Sequence, residues 1–69
     1  MTENLISSVH AEINRINARV LPAYRDIGPV GTFGATMIQA SINHAKQAIA
    51  SGDVQDIMAS LIDLKEINA

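Results

Sequence analysis

The chain contains no cysteine and no tryptophan, and one phenylalanine and one tyrosine are its only aromatic residues. Without cysteine there is no disulfide and no thiolate metal site. The two histidines, His10 and His44, are too few for an all-histidine site and have no carboxylate at ligand spacing. No apolar run approaches the roughly 18 residues of a membrane span. Met1-Thr2-Glu3-Asn4 is not the basic start of a secretory signal, and no apolar run follows it. The expectation is a cytoplasmic protein with no membrane partner. A basic surplus is also lacking: five cations stand against seven carboxylates, for a net charge of −2. A polyanion binder carries a basic face, so nucleic acid is an unfavoured partner.

What is there is 48% hydrophobic, mostly Ala, Ile, Leu, Val and Met, in 69 residues. That length holds one domain, 1–69, and buries too little surface to be comfortable alone. With disulfides and metals excluded, the remaining support for so small a scaffold is oligomerisation.

The apolar spacing is helical throughout. Thr2 is placed to cap a first helix over about 3–21. Ile6, Val9, Ile13, Ile16 and Val20 recur at 3, 4, 3, 4, an a/d seam made wholly of β-branched residues. The seam can pack inside the chain, or against copies of it. Leu21-Pro22 ends or kinks this helix; Pro22 can open a new turn, and Ala23-Tyr24-Arg25-Asp26-Ile27 makes about one more helical turn, the short turn over 22–27. A glycine-rich loop over 28–32 follows, Gly28-Pro29-Val30-Gly31-Thr32. Thr32 is the expected cap of a second helix over about 33–51, with Ala35, Ile38, Ile42, Ala45 and Ile49 on one face. Ser51-Gly52-Asp53 is a tight turn, with Gly52 ending one helix and Asp53 capping the next. The third helix runs over about 54–67, its stripe Val54, Ile57, Leu61 and Leu64 widened by Met58 and Ile62. No strand pattern occurs. The expected fold is all-α: a helix, a glycine loop and an antiparallel helical hairpin, assembling as a homo-oligomer.

Chemistry is sparse. The carboxylates read as caps and solvated-face charges, and no nucleophile stands near a base at a positioning spacing, so no catalytic residue and no cofactor is expected. Gly28-x-x-Gly31-x-x-Gly34 lacks the Gly-Lys-Ser/Thr of a phosphate-binding loop and has no preceding strand, so neither nucleotide fingerprint applies. A glycine loop opening a helix nevertheless offers free N–H groups to an anion. The candidate ligand-binding set is Tyr24, Arg25, Gly31, Thr32, Phe33, Gly34 and Thr36. The loop amides and both threonines would hold phosphate, Arg25 would pair with it, and Tyr24 would stack on a base. The alternative is structural: three glycines form a tight corner and Phe33 plugs the core. Arg15, Arg19 and Arg25 form either a local basic patch or a solvated face, and both histidines read as surface residues.

In overall organisation — tiny, cysteine-free, all-helical, multimeric, without catalytic residues — the chain resembles the small phage-encoded sponges of the anti-CBASS and anti-Thoeris families. The resemblance rests on no aligned motif. It implies a helical oligomer that captures cyclic oligonucleotides or ADP-ribose derivatives between protomers and holds them uncleaved, in a bacterium or an infected host cell. The net charge of −2 departs from the cation-lined pockets of those families and leaves the arginine cluster as the lining. A different class of function also fits: a protein–protein module, such as an adaptor, inhibitor or regulator subunit, that presents an apolar helix face to a protein partner.

Overall fold

A computed structural model describes residues 2–68, and every regular element among them is helical. Helix α1 spans Thr2–Arg15, α2 Leu21–Asp26, α3 Pro29–Ser51 and α4 Val54–Lys65; a π-helical stretch, Ile16–Val20, joins α1 to α2. The described chain is therefore three rods: α1 to α2 through the π stretch, then α3, then α4.

The regular α-helix is interrupted ahead of Pro22, and the short helical turn expected over 22–27 is helix α2; what the sequence does not predict is the π stretch, Ile16–Val20, that carries the first rod through. Pro22 explains the interruption. In an unbroken α-helix its ring would press on the carbonyl of Ala18 and leave that carbonyl without a donor. Instead the helix widens by one residue: the Leu21 N–H donates to the Ile16 carbonyl, five residues back. Pro22 then falls in the first turn of α2, where its missing N–H is an orphan in any case.

The loop expected over 28–32 is not a loop. The Ile27 N–H donates to the Tyr24 carbonyl at 3.2 Å and the Gly28 N–H to the Arg25 carbonyl at 3.3 Å, closing α2. Gly28 turns the chain with φ 92° and ψ −146°, a conformation that side chains resist. Pro29 starts α3 at once, four residues before the predicted start at 33. Thr32 is not the cap; Gly28 is. The Thr32 N–H already donates to the Gly28 carbonyl at 2.9 Å, as the first α-helical bond of α3. One glycine and one proline suffice for the corner, so Gly31 and Gly34 lie inside the helix.

The second corner is the one the sequence predicts. Gly52, at φ 75°, ends α3 in the left-handed conformation. Asp53 caps α4, its Oδ1 accepting from the Gln55 N–H at 2.9 Å and the Asp56 N–H at 3.3 Å. Asp53→Ala is expected to cost about 0.5–2 kcal/mol, read as a lower midpoint in urea with an unchanged slope. α4 ends at Lys65, two residues short of the predicted 67.

The seam of the first rod is used inside the chain. Val9, Ile13, Ile16 and Val20 are buried among Ile38, Ile42 and Ala45 of α3 and Ile57, Leu61 and Leu64 of α4. Val9 and Ile16 are 0% exposed, so the seam is not a surface for copies to share. α4 runs parallel to α1. Thr2–Ser8 and Val54–Met58 line one cleft at their starts, and Arg15 reaches the Leu64 carbonyl near their ends. The Arg15 guanidinium donates to Leu64 O at 3.1 Å and Ile67 O at 2.9 Å, and to Glu12 Oε2 at 3.0 Å. A cation on terminal helix carbonyls complements the dipole. Arg15 is thereby committed to closing α4 and is not part of a free basic patch with Arg19.

Lengths then position the functional surface. At 1.5 Å per residue, α3 is about 34 Å long and α4 about 18 Å. α4 folds back from the C-terminal end of α3 and covers only that half. The other half of α3 is paired with α2 alone, at one end of a molecule 39 Å long.

Candidate functional site

From Pro29 to Ala45, α3 carries no Asp, Glu, Lys or Arg; Lys46 is its only such residue. A helix face exposed to water normally carries charge. This one presents two neighbouring surfaces of different character.

The first is apolar. Val30, Phe33 and Met37 follow one another at i, i+3 and i+7, and Ile27 precedes them. They are 80%, 73%, 59% and 65% exposed in that order. Phe33 is therefore not a core plug.

The second is polar. Arg25, Thr32, Ala35, Thr36, Gln39, Ala40 and Asn43 line an open groove of about 430 Å³. Residues 32, 36, 39 and 43 are spaced 4, 3, 4 and share one face of α3. Part of their bonding capacity is already engaged. Thr32 Oγ1 donates to Gly28 O at 3.1 Å, Thr36 Oγ1 to Thr32 O at 3.0 Å, and Gln39 Nε2 to Asn43 Oδ1 at 3.2 Å. The donors left over are the second N–H of Gln39, the Asn43 amide and the Arg25 guanidinium, which makes no ion pair or hydrogen bond among the described residues. The two hydroxyls offer lone pairs, and so cannot serve as the phosphate donors expected of them while they back-bond to the helix.

The structure thus brings together Arg25, Thr32 and Thr36 of the sequence-predicted set and adds Gln39 and Asn43. Those two could have been found by continuing the 4, 3, 4 polar spacing. Phe33 lies outside the groove, on the adjoining apolar strip. Tyr24, Gly31 and Gly34 do something else: they make the crossing of α2 over α3. A Cβ on Gly31 would overlap the Tyr24 carbonyl oxygen, and one on Gly34 would sit 2.6 Å from Tyr24 Cδ2. The half-buried Tyr24 ring covers Gly34, and its hydroxyl donates to the Asn68 carbonyl at 3.2 Å. These glycines admit the α2 backbone and the Tyr24 ring, leaving no room for a ligand there, and Tyr24 is not poised to stack on a base.

Elsewhere, His44 Nδ1 lies 3.5 Å from Ser60 Oγ. Ser60 is only 2% exposed, and the pair joins α3 to α4. Among the described residues no three of His, Asp and Glu gather as a metal site, no buried polar side-chain atom lacks a partner, and no helix is long and apolar enough to cross a membrane. Compared with known proteins, the chain matches no family model, no curated protein and no solved structure.

Proposed function

We propose that the protein is a homo-oligomeric binding protein in which copies meet through the apolar strip of α3, and the adjoining polar groove holds a small phosphate-bearing ligand without transforming it. One observation carries this reading: strip and groove lie side by side on the charge-free half of α3. Four large apolar side chains this exposed present on the order of 400–500 Å², the size of the largest apolar patch on a typical monomer, which is often a functional one. The chain is short enough to need such support. A copy seated on the strip supplies a wall for the groove beside it.

The groove suits a ligand with an anion at one end and a hydrogen-bonding edge at the other. Arg25 offers a fork for phosphate. Gln39 and Asn43 stand two to three turns along α3, with the amide groups that pair with base edges. A nucleotide has this layout, and sequestration of a cyclic nucleotide or ADP-ribose-type signal is the function we assign. Native mass spectrometry of the protein with cyclic di- and trinucleotides and ADP-ribose tests it. The expected spectrum is a multimer carrying a defined nucleotide mass. Arg25→Ala should weaken that binding by about 1.5–3 kcal/mol, the worth of a charged hydrogen bond, or roughly ten- to a hundredfold. A multimer that binds none of these compounds, or an affinity unmoved by Arg25→Ala, contradicts the ligand reading.

A second reading is favoured by the strip alone. Its i, i+3, i+7 spacing is that of a helix that anchors in a protein groove. On that reading the chain is an adaptor or inhibitor subunit, and the strip stays exposed in the purified protein.

A further inference from the structure

Helix α2 is held to the rest of the molecule by very little. Leu21 is buried, but it opens α2 directly after the π stretch. Beyond it, Pro22, Ala23, Arg25 and Asp26 are exposed and Tyr24 alone is half-buried. α2 packs on the π stretch and on α3, and on neither α1 nor α4. Its closest approach to α3 is the Tyr24 carbonyl over Gly31, a residue with no side chain to bury. An element with so few buried apolar groups lies at the low-stability end of a fold and opens locally.

Both ends of α2 are suited to bending. Ahead of it the helical bonding is widened over Ile16–Val20, an arrangement frequent at functional sites. Behind it stands Gly28 at φ 92°, and a Cβ there would meet nothing within 4 Å. The backbone around Gly28 is open, and glycine changes its dihedrals at little steric cost.

Tyr24 is what fastens the segment between these ends. Its ring lies on Gly34, and its hydroxyl donates to the Asn68 carbonyl at 3.2 Å. Asn68 follows the C-terminal turn of α4, which Arg15 holds through the Leu64 and Ile67 carbonyls. A line of contacts thus runs from Arg15 of α1, through that turn, to Tyr24. The next residue, Arg25, is the only part of the groove that α2 supplies; the other six lining residues belong to α3.

We propose that α2 is a lid on the groove, hinged at the π stretch and at Gly28 and latched through Tyr24 to the C-terminal turn. Closed, it sets Arg25 beside the polar face of α3; open, it takes the groove's one cation away. Tyr24 is then a positioning residue for Arg25. The use of the lid rests on the groove being the ligand site, as proposed above; the motion itself does not.

Hydrogen exchange read by mass spectrometry tests the lid in dilute, ligand-free protein. Peptides covering 22–28 are compared with peptides covering 38–48 in wild type, Tyr24→Phe and Arg15→Met. Phenylalanine keeps the ring on Gly34 and removes only the hydroxyl. Arg15→Met removes the donors to the C-terminal turn without touching α2. In wild type, 22–28 should exchange faster than 38–48 and slower than an unstructured peptide. Each variant should speed 22–28 by a further factor of about two to ten, the worth of one hydrogen bond, and leave 38–48 unchanged. The double variant should add little to Tyr24→Phe, because both substitutions release the same latch. If Arg15→Met speeds exchange throughout the chain, Tyr24→Phe alone decides. Exchange over 22–28 as slow as over 38–48, or unchanged in Tyr24→Phe, overturns the lid. Exchange over 22–28 already unprotected in wild type overturns the latch, and an effect of Tyr24→Phe that Arg15→Met does not share at all overturns the link through the C-terminal turn. The ligand reading is judged separately, by the bound mass described above.

Discussion

Gly31→Ala is expected to destabilise the protein by about 2 kcal/mol or more, against the direction that helix propensity predicts. Gly31 lies in the first turns of a 23-residue helix. In a helix interior, alanine is favoured over glycine by about 1 kcal/mol. Here the added methyl group meets backbone. It would overlap the Tyr24 carbonyl oxygen and lie 2.8 Å from the Tyr24 carbonyl carbon and 2.9 Å from Ile27 Cβ. A carbonyl in α2 cannot rotate away without breaking the helix, so α2 and α3 must separate. Overpacking of this kind costs typically 1–3 kcal/mol and at times more, and a backbone obstacle belongs at the upper end, which outweighs the propensity gain. For a chain whose total stability is on the order of 3–10 kcal/mol, that is a large fraction. Thermal unfolding should show a drop of roughly 10 °C, since about 1 kcal/mol shifts a domain of this size by 4–8 °C. Gly34→Ala provides the internal control. Its Cβ would meet only ring atoms, Tyr24 Cδ2 at 2.6 Å and Cε2 at 2.7 Å. A ring can swing aside, so the loss should be smaller, and it should come with loss of the Tyr24–Asn68 hydrogen bond. A Gly31→Ala protein as stable as wild type would mean that α2 and α3 do not cross there.

Ile42→Ala is expected to cost about 2–5 kcal/mol, the range for emptying a buried aliphatic site. Ile42 is 0% exposed and belongs to the core shared with the seam of the first rod and the inner face of α4. The core has no aromatic residue to fill the vacancy; its members are Val, Ile, Leu and Ala. Phe33→Ala, at 73% exposure on the same helix, should leave monomer stability nearly unchanged. Urea unfolding at a concentration low enough to dissociate assemblies separates the two. Comparable losses from both substitutions would contradict the division of α3 into a buried and a working face.

Periodicity made much of this fold legible. The all-helical content, the Gly52–Asp53 corner and most of the core faces of α3 and α4 (Ala35, Ile38, Ile42 and Ala45, then Ile57, Leu61 and Leu64) follow from spacing, because a helix repeats its faces every 3.6 residues, whereas Val54, Met58 and Ile62 of the expected α4 stripe are exposed and Ile49 is only partly buried. What spacing does not encode is which partner a face meets. The β-branched seam of the first rod reads equally as an interface between copies and as a core; the parallel docking of α4, a tertiary event, assigns it to the core. Arg15 closes α4 from a position 49 residues away from Leu64, and no local pattern marks that. Pro22 reads as an end or a kink because the uninterrupted α-helix is sterically closed, but no spacing marks the π stretch by which the rod continues. The glycines mislead: their φ freedom suggests a loop, but Gly31 and Gly34 serve by what they lack, a Cβ at a helix crossing. At the candidate site, Arg25, Thr32 and Thr36 could be named from residue type, whereas the exposure of Phe33 could not.

The central claim is that the charge-free half of α3 is a working surface on which copies of the chain meet. Its most direct test is the molar mass in solution, by light scattering, of wild type and Phe33→Asp at matched concentrations in the tens of micromolar. A wild-type mass at a multiple of 7.4 kDa, returning to a single chain in Phe33→Asp with helicity intact, is the predicted result. A wild-type mass of one chain, or an assembly that Phe33→Asp leaves unchanged, would contradict it.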